Sequence, residues 1–286
     1  MNPLRLTAPL VASLLSIASA QAGVVVANHD TATLNVASAG VAAFSRNLVQ
    51  FLDRDGTVGG QVLVFNREES LGNPARIKDT FFAAAIAPLG YTVVAASRAT
   101  TTFTLDTLQA FDAVLLAGRV VNSLGEDIKD DQVLADYVAG GGGVYIAAGA
   151  GGFAPDAQAA YWNSFLDDFG IAYEPTFNNR VGVDLVTGGE GPLFAGVVSL
   201  SAGNGQDLRL HDPRDPDAVL VQRVPGATMR GLTAVHLDAA PVAVSAPTSV
   251  LLAGLGLVGL GVGHWRRPSD RSPQRGAHGP RAGAQR

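Results

Sequence analysis

Apolar positions along the chain follow two patterns that alternate from residue 23 to about residue 173. Short, continuous apolar runs, such as residues 113–118, are typical of strands that are buried on both faces. Longer runs with apolar residues three and four positions apart, such as residues 41–52, predict amphipathic helices. Because strands and helices alternate, we predict a mostly parallel sheet that carries helices on both faces.

The individual elements can be placed from these runs and from the turn residues between them. The predicted strands span residues 23–27, 61–66, 92–96, 113–118, 144–148 and 171–173. The predicted helices span residues 41–52, 74–89, 127–139 and 156–169, and a short helix begins after the capping residue Thr104. Trp162 shares the apolar face of its helix and is predicted to lie in the core. Three shorter strands, at residues 183–186, 219–222 and 232–236, are predicted to be antiparallel and to lie at the edge of the sheet.

Three segments of this region resemble a known fold. FDAVLLAG at residues 111–118 has the form of a core strand, and LADYVAGGGGVYI at residues 134–146 has the form of a helix, a glycine turn and a second core strand. GPLFAGV at residues 191–197 has the form of a loop that often follows them. These segments resemble the flavodoxin-like core shared by class I glutamine amidotransferases and ThuA-like proteins. The resemblance implies an α/β, flavodoxin-like three-layer sandwich that extends from residue 61 to about residue 237.

The first 22 residues have the order of a secretory signal peptide. Arg5 precedes an apolar run at residues 9–17, and the small residues ASAQA follow at 18–22. A basic start, a short apolar region and an A-x-A site are the features of a signal peptide that is removed on secretion. Cleavage after Ala20 and cleavage after Ala22 both fit. We therefore predict that signal peptidase and the secretion machinery export the mature chain.

Charge is distributed unevenly between the body of the chain and its C-terminal end. The chain has 20 basic and 25 acidic residues, a formal net charge of −5, which argues against a nucleic-acid-binding protein. Six arginines follow residue 265, where Asp270 is the only acidic residue, so the tail is basic and the body is acidic. Such an asymmetry indicates segments with different roles.

A transmembrane helix is predicted near the C-terminus. Residues 250–263 are apolar or glycine, and a helix extended over residues 249–265 comes close to spanning the roughly 30 Å hydrocarbon core of a bilayer. Trp265 would then lie at the membrane interface, and the arginines that follow it would remain on the cytoplasmic side.

The C-terminal region as a whole resembles the PEP-CTERM sorting signal of exosortase substrates. Its motif consists of Val244, Ser245, Ala246 and Pro247 before the helix and of Arg266 and Arg267 after it. Val244 and Pro247 stand at the expected positions, Ser245 and Ala246 depart from the common pair, and the tail after residue 268 is longer than usual. The resemblance implies an exosortase-type membrane transpeptidase that cuts near Pro247. The alternative interpretations are a stable C-terminal anchor without sorting and a buried glycine-rich helix.

These features divide the chain into four predicted segments. They are a signal peptide at 1–22, an amidotransferase-like α/β domain at 23–240, a sorting signal with its transmembrane helix at 241–267, and a basic disordered tail at 268–286.

Nucleophilic chemistry of the amidotransferase type is excluded by composition. The chain has no cysteine, and the stretch in which that family carries its nucleophile reads AAGAGG at residues 147–152, without Ser or Thr. The glycines of this turn can still expose backbone N–H groups to an anion. Gly149, Gly151 and Gly152 are therefore candidate ligand-binding residues.

Two other groups of polar residues are candidates for a site. His29 and Asp30 follow the first predicted strand, at the end of the sheet where α/β proteins bind ligands. A proline-rich loop provides the weak metal-ligand candidates His211, Asp212, Asp215 and Asp217, although a solvated turn explains them more simply. We predict no resident metal and no cofactor.

The sequence as a whole predicts an exported, non-enzymatic surface or extracellular-matrix protein. Its precursor would be anchored in the inner membrane, processed by an exosortase-type transpeptidase, and then held at the cell surface or secreted. The body would bind a partner, with extracellular polysaccharide or the envelope as candidates, or would serve in packing. The alternative is a metal-dependent hydrolase or carbohydrate-active enzyme, which would require His29, His211 and Asp212 to converge.

Overall fold

The computed structural model of the chain describes residues 23–53, 59–65, 81–96, 101–117, 130–148, 154–180 and 184–238. All of them belong to one compact unit. The predicted signal peptide and the entire predicted sorting signal, with its transmembrane helix and basic tail, lie outside the described residues.

Eleven strands are present in the described part of the chain. They are β1 (Val24–Asn28), β2 (Gly60–Phe65), β3 (Tyr91–Ala96), β4 (Ala113–Ala117), β5 (Gly143–Ala147), β6 (Ile171–Phe177), β7 (Asp184–Val186), β8 (Leu200–Ala202), β9 (Gln206–Leu210), β10 (Ala218–Arg223) and β11 (Gly231–Leu237).

The helices alternate with these strands through the first two thirds of the described chain. They are α1 (Ala32–Asn35), α2 (Val41–Leu52), α3 (Phe82–Ile86), α4 (Leu105–Leu108), α5 (Asp131–Ala139) and α6 (Pro155–Leu166). Short 3-10 turns occupy Ala87–Leu89, Asp167–Phe169 and Pro192–Phe194.

Five of the strands form a parallel sheet in the order β3-β2-β4-β5-β1. On its other side β1 pairs antiparallel with β11, in a register that runs from Val24 opposite Leu237 to Asn28 opposite Thr233. Strands β9 and β6 continue the sheet beyond β11, β10 also pairs with β11, and β7 and β8 form a separate two-stranded sheet. The α/β class and the mostly parallel central sheet are thus confirmed.

Two hydrophobic clusters lie on opposite faces of the sheet because successive side chains of a strand point to opposite faces. Val24 and Val26 of β1 belong to one cluster with α2 and α3, and Val25 and Ala27 belong to the other with α5 and α6. Burial on both sides explains why β1 is an unbroken apolar run. Trp162 of α6 is fully buried in the second cluster, as predicted.

Local polar groups set the starts of two helices. Thr104 accepts a hydrogen bond from the backbone N–H of Thr107 at 3.3 Å, which confirms its predicted capping role. Asp130 accepts from the N–H of Val133 at 3.2 Å and so caps α5. Helix α5 therefore begins at Asp131, later than the predicted start at residue 127, although residues 118–129 lie outside the described range.

The predicted elements differ from the observed ones mainly in the last third of the chain. Strand β11 was expected at the sheet edge, but it lies between β1 and the strands β9 and β10, which explains why most of it is buried. Strand β6 continues to Phe177 rather than ending at residue 173, because β9 supplies a pairing partner. Strands β8 and β9 and helix α1 were not predicted; each has only three to five residues, too few for a period to show.

The ends of two other predicted helices can be compared with the structure. The helix predicted at 156–169 ends at Leu166 and continues as a 3-10 turn up to Gly170, whose φ of 68° closes it. Of the helix predicted at 74–89, the described part comprises α3 and the 3-10 turn after it. None of the helices in the described part of the chain is both long and apolar enough to cross a membrane.

Candidate functional site

The carboxyl end of β1 carries three consecutive polar residues that are almost completely buried. Asn28, His29 and Asp30 are 0%, 1% and 3% exposed. Buried polar side chains are costly unless hydrogen bonds replace the water that they lose. The partners of each side chain therefore show which of the three is structural and which has capacity left for a ligand.

Asn28 is structural. Its Oδ1 accepts from the backbone N–H of Asp30 at 3.1 Å and from the hydroxyl of Thr33 at 2.9 Å. Its Nδ2 donates to Oγ1 of Thr233 on the adjacent β11 at 3.0 Å, and that hydroxyl donates to Oε1 of Gln222 on β10 at 3.2 Å. The side chain of Asn28 thus links β1 to its neighbour β11 and, through Thr233, to β10 beyond it.

Asp30 is also occupied by the backbone. One carboxylate oxygen accepts from the N–H of Ala32 at 3.1 Å and the other accepts from the N–H of Gly203. Burial raises the pKa of Asp30 above its ordinary value, against the opposing effect of these hydrogen bonds. Asp30 therefore fixes the start of α1 and the loop that leads into β9, and both of its oxygens are engaged. Asp30 therefore has a structural role at this end of β1.

His29 has capacity left for a ligand. Its Nδ1 lies 3.1 Å from the carbonyl oxygen of Leu232. Because a carbonyl only accepts, Nδ1 must carry the proton, and Nε2 must then be an unprotonated acceptor. Among the described residues this buried Nε2 has no hydrogen-bond partner. Burial lowers the pKa of His29 to about 3, so the imidazole is neutral at physiological pH.

Strand β9 is held directly against His29. The backbone N–H of Gln206 donates to the carbonyl oxygen of His29 at 2.9 Å, and the N–H of Asn178, just after β6, donates to Gly205 at 2.8 Å. Gly205 has to be glycine because a Cβ there would overlap the carbonyl oxygen of His29. The ends of β1 and β6 and the start of β9 therefore meet at one point.

Two further polar atoms near this junction lack hydrogen-bond partners among the described residues. They are Oε1 of Gln206, which is fully buried, and Nε of Arg180. The side chains of Asn178 and Asp207, which is 5% exposed, interact with each other through a hydrogen bond.

The two charged residues of the junction act on each other and on His29. Burial raises the pKa of Asp207, and a side-chain hydrogen bond from Asn178 and the guanidinium groups of Arg230 and Arg180 act in the opposite direction. Arg180 also lowers the pKa of His29, which adds to the larger effect of burial. Arg180 therefore lies within electrostatic range of both His29 and Asp207. Arg230 forms a looser ion pair with Asp207, with Nη1 and Oδ2 separated by 3.8 Å.

Two buried tyrosines lie close to the same end of the sheet. The hydroxyl of Tyr173 is within hydrogen-bonding distance of the carbonyl oxygens of Asn28 (2.8 Å) and Ile146 (3.1 Å), so it bridges β1 and β5. The hydroxyl of Tyr145 is buried and has no hydrogen-bond partner among the described residues. Burial raises the pKa of both tyrosines, so both hydroxyls remain protonated.

The weak metal candidates do not join this junction. His211 follows the far end of β9, where its N–H donates to Gly170, whereas His29 contacts the start of that strand. A five-residue strand extends about 17 Å. The His211 imidazole instead contacts Oδ1 of Asp167 at 2.9 Å.

The aspartates of that loop serve its turns. Asp212 accepts from the N–H of Arg214 and Asp215 accepts from the N–H of Asp217, each at 2.9 Å. In the described ranges, no three His, Asp or Glu side chains are grouped so that they could hold a metal ion. His29, His211 and Asp212 therefore do not converge.

The glycine-turn candidates Gly149, Gly151 and Gly152 lie outside the described residues. The last described residue before them is Ala148, whose N–H donates to the carbonyl oxygen of Asn28 at 3.2 Å. The sorting-motif residues, from Val244 to Arg267, also lie outside the described ranges.

Sequence reasoning identified His29 but missed Asn178, Arg180, Gln206 and Asp207. These four residues come from the end of β6 and the start of β9, and the latter strand was not predicted. The one signal in the sequence is AGNGQD at residues 202–207, where two glycines precede adjacent polar residues. Glycines of this kind permit close backbone approach.

Comparisons of the chain with protein-family models, with curated proteins and with solved structures gave no match. The resemblances noted above therefore rest on the residues alone.

The buried neutral state of His29 predicts a loss of stability in acid. The unfolded imidazole binds a proton near pH 6.5, whereas the folded one does so only near pH 3. The unfolded state is therefore favoured as pH falls between these values. We expect the contribution of His29 to the free energy of unfolding to fall by about 2 kcal/mol between neutral pH and pH 5.

Urea denaturation over this pH range, compared with the His29→Asn variant, isolates that contribution, because asparagine can still donate to Leu232 without titrating. His211→Asn, which replaces an imidazole that is 40% exposed, is the matched control and should keep the acid loss. If the free energy of unfolding of the wild type fell with pH no more steeply than that of His29→Asn, His29 would not be buried in the neutral state.

Replacement of Gly205 tests the contact that brings β9 to His29. A Cβ at this position meets backbone atoms, which have no way to move aside without separating β9 from β1. We expect Gly205→Ala to lower the free energy of unfolding by about 2–3 kcal/mol. Gly140→Ala, where the nearest atom to the new Cβ is 3.3 Å away, should change it by less than about 1 kcal/mol. If thermal unfolding showed that the two substitutions destabilise the protein equally, the close approach of Gly205 to His29 would not be required.

Proposed function

We propose that this protein is an exported cell-surface or extracellular-matrix protein that an exosortase-type transpeptidase processes at its C-terminus. Its body, by this proposal, binds a partner and does not catalyse a reaction. The sequence of the two ends supports export and sorting, and the geometry of the body supports binding.

The C-terminal sequence has three parts in the order that sorting requires. Val244–Pro247 precedes a glycine- and leucine-rich run, and Arg266 and Arg267 follow it. A short apolar helix with a positive stop holds a chain in the inner membrane with its body outside. Cleavage near Pro247 would release the body or transfer it to a surface. The signal-peptide pattern at residues 1–22 agrees with this route.

We also propose that the body is a degenerate, amidotransferase-like member of the flavodoxin-like folds. If β2 is counted as the first strand, the strands β3-β2-β4-β5 have the order 2-1-3-4 that flavodoxin-like sheets share. Strand β1 then occupies the position of the fifth strand. The segments at 111–118 and 134–146, which resemble that family, fall on β4, α5 and β5.

The observation that carries the binding role is the state of His29. A neutral imidazole with an unpaired Nε2 is buried at the carboxyl edge of the sheet, and Oε1 of Gln206 and Nε of Arg180 nearby also lack partners among the described residues. Buried polar atoms are normally paired, so such a concentration favours a bound partner. A metal-dependent hydrolase is less well supported, because the ligands that it would require lie at opposite ends of β9.

Intact mass of the protein recovered from its native envelope and medium tests the proposal. We expect a species that begins at residue 21 or 23, ends near Pro247 and lacks the glycine- and leucine-rich run. In a variant with both Arg266→Gln and Arg267→Gln, the positive stop is lost and this species should decrease strongly. The matched control replaces Arg281 and Arg286 by Gln and should be processed normally.

A wild-type protein that retains Arg286 would overturn the sorting proposal and leave a membrane-anchored body. A wild-type mass that includes residues 1–22 would overturn export through a cleaved signal peptide.

A further inference from the structure

We infer that Asn204 is a modification site whose side chain deamidates when the junction of β1, β6 and β9 opens, and that the closed junction prevents this reaction. Asn204 is exposed and lies between Gly203 and Gly205 in the loop that joins β8 to β9. It is the only asparagine of the chain that is followed by a glycine. This inference goes beyond the proposed function and does not depend on how the C-terminus is processed.

Deamidation at this position requires only the chain itself and water. The backbone nitrogen of Gly205 attacks Cγ of Asn204, the bond from Cγ to the side-chain nitrogen breaks, and that nitrogen leaves as ammonia with the proton of the attacking amide. Water then opens the succinimide ring at one of its two carbonyl carbons and gives aspartate or isoaspartate. Glycine at the next position favours the attack because it has no Cβ to obstruct it.

The backbone around Asn204 is held in a form that prevents ring closure. The N–H of Gly205 donates to the carbonyl oxygen of Gly203 at 2.9 Å, which closes a three-residue turn with Asn204 at its centre. Because Asn204 does not have a positive φ, the turn is the inverse γ form, in which the central ψ is about +65°. This ψ places the nitrogen of Gly205 trans to Cβ of Asn204, whereas the five-membered ring requires them on the same side.

Buried contacts on both sides keep this turn closed. The N–H of Gly203 donates to the carboxylate of Asp30. The carbonyl oxygen of Gly205 accepts from the N–H of Asn178 at 2.8 Å, and a Cβ on Gly205 would overlap the carbonyl oxygen of His29. The attack therefore requires the loop to separate from β1 first, so its rate follows the population of the open state.

The isoaspartate product prevents the junction from closing again. In isoaspartate the main chain runs through Cβ and Cγ, so it gains one carbon between Gly203 and Gly205. The backbone of Gly205 already lies so close to the carbonyl oxygen of His29 that a Cβ does not fit there. The modification thus makes a reversible opening beside His29 permanent.

Peptide mapping by mass spectrometry measures the reaction at Asn204 in the full chain. The folded wild type and a synthetic peptide of residues 199–209, which lacks the junction, are incubated in the same mildly alkaline buffer. We expect Asn204 to deamidate roughly a hundredfold more slowly in the folded chain than in the peptide. Equal rates would show that the turn does not protect Asn204 and would overturn the inference.

Asp30→Ala tests whether the contact with Gly203 keeps the turn closed. The variant loses a buried acceptor, so the open state gains population and deamidation of Asn204 should accelerate about tenfold. Asp215→Ala is the matched control, because it removes an aspartate that accepts the backbone N–H of Asp217 in the loop after β9. Equal acceleration in the two variants would contradict the role of the junction.

Urea at concentrations below the unfolding midpoint provides a second measurement if Asp30→Ala does not fold. Opening of the junction exposes surface, so the rate at Asn204 in the wild type should rise with urea relative to the rate in the peptide. A rate that stays constant until the whole protein unfolds would overturn the local opening.

Asn204→Asp separates the effect of a new charge from that of a longer backbone. Because the side chain is exposed, this variant should unfold at nearly the same temperature as the wild type, whereas the isoaspartate fraction of the incubated chain should unfold at a lower one. An isoaspartate fraction as stable as Asn204→Asp would show that the junction can close again and would overturn that part of the inference.

Discussion

The pairing of β1 with β5 on one side and β11 on the other is the constraint on which the rest of the structure depends. The five residues of β1 pair in parallel with β5 and antiparallel with β11, which is the last described strand. All five are completely buried. Strand β1 lies between the parallel part of the sheet and its antiparallel part. The polar residues at its carboxyl end are therefore buried. The candidate site is a direct consequence of that position.

Burial at the end of β1 has a cost that hydrogen bonds largely offset. Asn28 and Asp30 are satisfied by backbone and hydroxyl groups of the neighbouring elements. His29 is only half satisfied, because Leu232 occupies one ring nitrogen and Nε2 faces none of the described hydrogen-bonding groups. An imidazole in this state stays neutral and accepts a hydrogen bond without a change of charge. That property suits binding better than it suits proton transfer.

The parts of the fold that sequence could predict are those with a repeated local pattern. Strands β1 to β5 are visible as continuous apolar runs and helix α2 by its helical period, and Thr104 and Trp162 had the roles that their positions predict. The central position of β11 could not be predicted, because its residues pair with a strand about two hundred positions away. A short, partly apolar run has no local feature that separates an edge strand from a central one.

The candidate site could likewise be predicted only in part. The position of His29 after an apolar strand indicated a ligand-binding edge, and Asp30 was included for the same reason although its carboxylate proves to be structural. The partners of His29 depend on β9, whose five residues lie between glycines and a proline-rich loop. Their approach depends on Gly203 and Gly205, and a close contact between backbones is a tertiary feature that a single sequence does not show.

The protonation state of His29 in the free protein tests this account most directly. Correlation of ring protons and nitrogens in histidine-labelled protein distinguishes the two neutral tautomers from the imidazolium. We expect that at neutral pH His29 carries its proton on Nδ1, with Nε2 unprotonated, and that this state persists through mild acid until the protein unfolds. A proton on Nε2, or an imidazolium in the folded protein near pH 6, would contradict it.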